Sequence, residues 1–188
     1  CLSFTSGYMA NLGVITALVG HGDVVFADKL NHASLVDAVV LSRAEFKRYP
    51  HKDMQALDKL LQEAGAKKKL IVTDTVFSMD GDIAPLPEMV KLAKKYSAMI
   101  MVDEAHATGV LGNSGKGAVE YFNLPGEIDI QMGTLSKAIG SQGAYICASE
   151  VLINFLINKS RQFIYTTALP LALCAAAMEA IAIIEEDT

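Results

Sequence analysis

Ala98-Met-Ile-Met-Val102 is five apolar residues in a row, and an acid, Asp103, follows at once. A strand with no polar face must be covered on both sides, the condition of a central strand in a parallel sheet flanked by helices. Asp23–Ala27, Lys69–Thr75, Ile128–Met132 and Gly143–Ala148 also read as strands, and Glu45–Tyr49 as a modest alternating one. Helical stretches separate them: Gly7–Val19 behind the cap Ser6 and closed by Gly20, Leu35–Leu41, a helix from the cap Asp53 to Ala64, Glu88–Tyr96 after Pro85 and Pro87, Glu150–Ser160, and Pro170–Glu186. Such alternation predicts an α/β fold, a mainly parallel sheet with helices on both faces. One strand must run the other way. The connection from Met132 to Gly143 is too short for a crossover helix, so Gly143–Ala148 is antiparallel.

The 188 residues suffice for one packed α/β domain, and 52% hydrophobic against 20% charged excludes a disordered chain. A net charge of −5 gives no nucleic-acid footprint, and Lys67-Lys-Lys69 reads as a solvated helix end. Pro170 and Glu179 interrupt the apolar stretch Leu169–Ile184, which is short for a membrane span. Cys1, Cys147 and Cys174 are far apart in sequence, which argues against a disulfide framework or zinc site and for a reducing, cytoplasmic setting. No metal ligand set emerges: Asp80-Gly-Asp82 lacks the remaining ligands of a calcium loop.

The turn Gly133-Thr-Leu-Ser-Lys-Ala-Ile-Gly-Ser-Gln-Gly143 holds a single lysine, Lys137. A lysine between two buried strands is expected to lose solvation, which favours a neutral amine able to form a Schiff base; the competing reading is an ordinary loop lysine. Asp103 and Ser78 lie beyond strand carboxyl ends, where open α/β sheets gather ligand groups. The helix start at Ser6-Gly7 offers N–H groups to an anion. Gly112–Gly117 is glycine-rich without P-loop spacing and reads as a mobile loop near the site. Val102-Asp-Glu-Ala-His106 alone reads like the Walker-B box of a nucleic-acid NTPase, but the chain holds no G-x-x-x-x-G-K-[ST] loop upstream.

Five segments, in order, resemble the α-oxoamine synthases, pyridoxal-phosphate (PLP) enzymes of the aspartate-aminotransferase fold type. They are Thr5-Ser-Gly-Tyr8, Asn31-His-Ala-Ser34, Val76-Phe-Ser-Met-Asp-Gly-Asp82, Val102-Asp-Glu-Ala-His-Ala-Thr-Gly109 and Thr134-Leu-Ser-Lys137. The resemblance implies an enzyme that condenses an amino acid with an acyl-CoA and releases carbon dioxide and CoA. It implies that Lys137 binds the cofactor and serves as base, that Asp103 keeps the pyridine nitrogen protonated, and that His32 stacks on the ring. By the same resemblance His106 and Ser78 hold the phenolic oxygen, Gly7, Tyr8 and Thr134 hold the cofactor end to end, and Thr166 and Thr167 reach the phosphate of a neighbouring subunit in a homodimer. Ser141-Gln-Gly143 and His51-Lys-Asp53 resemble the branch that joins pimeloyl-CoA to L-alanine in biotin biosynthesis, whereas the branch using acetyl-CoA and glycine usually carries Gly before the lysine. Ala144 departs from the pattern, standing where a second Gly is usual. Family members carry an N-terminal segment and a C-terminal small domain, so residues 1–188 are expected to form the large catalytic domain.

Overall fold

The computed structural model describes residues 1–186. Its elements run β1 (Leu2–Phe4), α1 (Gly7–Leu18), β2 (Val24–Asp28), α2 (Ala33–Ser42), β3 (Glu45–Tyr49), α3 (Met54–Glu63), β4 (Lys69–Asp74) and α4 (Leu86–Lys95). They continue with β5 (Met99–Asp103), α5 (Ala118–Tyr121), β6 (Ile130–Thr134), β7 (Ala144–Ala148), α6 (Glu150–Lys159), α7 (Arg161–Ile164) and α8 (Leu171–Glu186). One seven-stranded sheet has the order β1-β7-β6-β5-β4-β2-β3, and only β7 runs against the others. The reversal expected of Gly143–Ala148 is therefore present.

Each inner strand divides its side chains between the two faces. Val25, Ala27, Leu70, Val72 and Met101 pack beneath α1, α2 and α6, whereas Val24, Phe26, Ile71, Ile100 and Val102 pack beneath α3 and α4. That alternation along β2, β4 and β5 is the period of two expected of a sheet buried on both faces. Burying a single Ile or Leu here contributes about 1.5–3 kcal/mol. Side-chain caps fix where helices begin: Ser6 accepts from Met9 N at 3.2 Å and Asp53 from Ala56 N at 2.9 Å.

Several local expectations need correction. The strand expected over 128–132 starts two residues later, because Asp129 turns back to accept the Ile100 amide at 2.8 Å. α1 closes at Val19 in extended backbone, before Gly20. β1, α5 and α7 are too short to carry a period and were not expected. Cys1, just before β1, and Cys147 of β7 lie one step beyond the Leu2–Ile146 pair and are joined as a disulfide, against the expectation from spacing. A separation of 146 residues conceals that the two strands are neighbours. Among the described residues no helix is long and apolar enough to cross a membrane.

Gly13 lets α1 sit close to the edge of the sheet. A Cβ there would stand 2.5 Å from Ser160 Oγ and 2.8 Å from Phe4 Cε1, whereas nothing lies within 4 Å of one on Gly65. In the full-length protein Gly13→Ala is expected to cost about 1–3 kcal/mol by overpacking, and Gly65→Ala to stay within about 0.5 kcal/mol. Urea midpoints for the two variants check this, and equal midpoints would contradict the packing described.

Candidate active site

The carboxyl ends of β4, β5 and β6 open into a cavity of about 150 Å³ beside the start of α1. Gly7, Tyr8, His32, Asp103, His106, Thr134 and Lys137 all line it, although their sequence positions span more than half the chain. A larger cavity of about 500 Å³ lies at the opposite end of the strands, walled by Leu18, Met99, Leu152, Phe155 and the stems of Lys67–Lys69. It gathers no acid or imidazole, unlike the smaller one.

Asp103 ends β5, and its carboxylate is buried. Asn11 Nδ2 on α1 donates to Oδ2 at 2.9 Å, and the Ala105 amide donates to Oδ1 at 2.9 Å. Burial raises the Asp103 pKa, while those two donors and the positive field of Lys137 oppose the rise. The second Asn11 N–H goes to Ser34 Oγ at 2.8 Å, and that hydroxyl lies 2.7 Å from His32 Nδ1. His32 caps α2 through Nδ1, which accepts from Ser34 N, while its own amide donates to Asp74 Oδ2 at 2.7 Å. Asp74 stands beside Asp103 in register on β4, and burial together with the Asp103 charge pushes its pKa up to about 7. On the far wall, Thr134 Oγ1 donates to the Gly143 carbonyl at 3.1 Å and accepts from the Ser136 amide at 3.3 Å. Burial, then the Lys137 charge, lowers the His106 pKa and favours a neutral ring.

Lys137 corrects an expectation. Its turn stands above the sheet edge, and the residue is exposed at the cavity mouth rather than desolvated between strands. Tyr8 is also partly exposed, and its hydroxyl donates to Asp37 Oδ2. Ser78 lies on an exposed hairpin after β4 and does not line the cavity. Thr166 and Thr167, exposed between α7 and α8, share a separate small hollow with Ser3, Phe4 and Thr5. The Gly112–Gly117 loop is likewise apart from the Lys137 cavity: Ser114 and Lys116 amides donate to Glu120 Oε2, both at 3.1 Å. Asn11, Ser34, Asp74 and Ser136 were not foreseen. Asn11 had a signal, since it lies four residues after Gly7 and so one helical turn along the same face.

These residues fit PLP. The hydrogen bonds to the Asp103 carboxylate come from a neutral amide and a backbone N–H, and no ion pair reaches it among the described residues. A protonated ring nitrogen would supply the missing charge. The first-turn amides of α1 and the Ser136 hydroxyl, which lines the cavity, offer donors to a phosphate at the other end.

A carboxyl group whose folded-state pKa is raised is stabilised in its protonated form. The unfolded chain ionises first as pH rises, so the contribution is greatest at acid pH and declines until the folded group ionises near 7. Cofactor-free Asp74→Asn should therefore gain stability relative to wild type between pH 5 and 7, by on the order of 1 kcal/mol. Urea unfolding at both pH values measures the gap; a gap independent of pH would show that Asp74 is already ionised.

The class I and II aminotransferase family model matches residues 2–187. The 8-amino-7-oxononanoate synthase of Geobacter sulfurreducens is 58% identical over 185 residues, 98% of this chain and 47% of that protein. Among solved structures, the serine palmitoyltransferase from S. paucimobilis with a bound PLP–myriocin aldimine superposes at a TM-score of 0.94 with 39% identity, over 98% of this chain and 46% of that one. The 8-amino-7-oxononanoate synthase of Francisella tularensis gives 0.86 with 37% identity, over 100% and 54%. The chain spans about half the length of the curated relatives it matches. With fold, cavity and matched segments in agreement, this chain belongs to the class I and II aminotransferase family.

Proposed function

We propose that this chain forms the cofactor-binding part of an acyltransferase that joins pimeloyl-CoA to L-alanine, giving 8-amino-7-oxononanoate, CoA and carbon dioxide. The single observation that carries the reading is the convergence of buried Asp103 with His32, Thr134 and Lys137 on one cavity. The 58% identity to a synthase of that name supports the choice of substrates. When bound, PLP supplies an electron sink for charge developing at the substrate α-carbon. Asp103 holds the proton on its ring nitrogen, and Asn11 holds Asp103. His32 packs against the ring face, oriented by Ser34 and Asp74. His106 would hold the phenolic oxygen from within the cavity and Ser78 would reach it from its hairpin outside the lining, while Gly7, Tyr8 and Thr134 would fix the cofactor's length.

Lys137 has two tasks in this reading. Its Nζ would hold the cofactor covalently, and its free amine would take the substrate α-proton and return one later. Its place at the mouth of the cavity suits a group that must reach both cofactor and substrate. Thr166 and Thr167 serve the site of a second chain, which accords with their exposure and their distance from this chain's own cavity. The exposed apolar side chains of α8, among them Leu171 and Met178, suit a buried interface in that homodimer.

The full-length protein tests the reading directly. Offered pimeloyl-CoA with alanine, acetyl-CoA with glycine, and palmitoyl-CoA with serine in turn, it should release CoA fastest from the first pair. Preference for either other pair would overturn the substrate assignment. Lys137→Ala is expected to lose about 10²–10⁴-fold in turnover. Mixing Lys137→Ala chains with Thr166→Ala/Thr167→Ala chains should restore activity, because one site of the mixed dimer then carries neither lesion. Mixtures no more active than their components would rule out a shared site.

A further inference from the structure

His51 follows β3 and stands between two loops that carry proposed cofactor contacts. Its Nδ1 lies 3.0 Å from Asp28 Oδ1, at the end of β2, and its Nε2 lies 2.9 Å from Asp82 Oδ2, on the hairpin after β4. Lys52 repeats the connection: its amide donates to Asp28 Oδ2 at 2.8 Å and its Nζ donates to Asp82 Oδ2 at 2.9 Å. To do so Lys52 holds φ at 56°, in the left-handed region that a lysine rarely adopts. The His51 ring also meets the buried Phe77 edge-on, with centroids 4.5 Å apart.

Each end of this clamp leads to the site. Asp28 accepts the Leu30 amide at 2.8 Å and so shapes the short loop that ends at His32. Asp82 belongs to a hairpin closed by the Val76–Ile83 bridge and by Phe77 N donating to the Asp82 carbonyl at 3.0 Å. Ser78 rides on that hairpin. The strands themselves do not fix it, because β4 has ended by Asp74.

The charge count explains why an imidazole is used. Carboxylates only accept hydrogen bonds, so a ring with a carboxylate at each nitrogen must donate from both and is a cation. His51 and Lys52 then balance Asp28 and Asp82. Asp80 stands nearby, Tyr49 and Asp74 feel the Asp28 charge, and Asp80, Asp82 and His51 have ligand atoms within 4.8 Å of one another. The Lys52 ammonium and the His51 ring share Asp82 Oδ2.

We propose that His51 is a positioning residue for the cofactor site, drawing Asp28 and Asp82 together so that the His32 loop and the Ser78 hairpin hold a fixed separation. The inference rests on the proposed roles of His32 and Ser78. Burial opposes the charge on His51, but the two carboxylates outweigh it and raise the pKa. The imidazolium part of the clamp is therefore lost as pH rises past the ordinary imidazole range, while Lys52 still ties Asp28 to Asp82.

The test is titration of the cofactor-free full-length protein with PLP, followed by absorbance, for wild type, His51→Asn and Asp82→Asn. Both variants should bind about tenfold more weakly at neutral pH, the scale of coupling between groups in one network. The His51→Asn gap should narrow as the pH is raised, since wild type then loses the imidazolium contacts that this variant already lacks while both keep the Lys52 tie; the Asp82→Asn gap, which includes the Lys52 contact, should narrow less. Asp82→Asn keeps the test open if His51→Asn does not fold, for Asp82 is partly exposed. Variants that bind as wild type does at every pH, with only a lower urea midpoint, would reduce the clamp to a structural tie and overturn the proposal. Wild type that fails to bind PLP at all would sink the functional reading instead, an outcome read before any variant is compared.

Discussion

A carboxylate buried at the end of the most enclosed strand is the constraint around which this site is arranged. An ionised Asp103 without partners would cost several kcal/mol. The two nearest donors come from α1 and from the turn that follows β5. Asn11 and Asp103 are 92 residues apart, so their contact fixes α1 over the sheet at one rotation, which apolar packing alone would leave looser. The same amide reaches Ser34, and Ser34 reaches His32. One buried charge thus sets the orientation of groups on α1, α2 and β5 together.

The sheet order gives those groups a common edge. β5 lies between β4 and β6, so Asp74 and Asp103 emerge side by side, with Thr134 two residues beyond Met132, the β6 partner of Asp103. β7 then reverses and pairs with β6 through Thr134–Ala144, which confines the Lys137 turn to the nine residues 135–143 above that edge.

Much of this was legible in the sequence. The apolar run ending at Asp103 marked the central strand, and the short link to Gly143 fixed the antiparallel one. Capping residues placed α1 and α3 within a residue of their true starts. What escaped depends on long-range pairing. Asp74 reads as an ordinary strand-end acid until β4 is set beside β5 in register, and the Cys1–Cys147 pairing appears only once β1 is placed on β7. The exposure of Lys137 escaped for a different reason: strand assignments say that a turn exists, not how far it rises above the sheet. The resemblance gave Ser78, Thr166 and Thr167 their expected roles, and none of them lines this chain's cavity, because each sits on a segment that leaves the sheet edge.

The place of β1 has a consequence for how the chain is made. β1 has one partner, β7, and Leu2 pairs with Ile146. At ordinary elongation rates the ribosome needs roughly ten seconds or more to deliver that partner. During that interval β2, β3, β4 and β5 can pair as they emerge, while Leu2 and Phe4 have no sheet to join. The nascent chain must carry this apolar segment unpaired until β7 has left the tunnel, so the sheet edge that backs α1 closes after the strands β2 to β5.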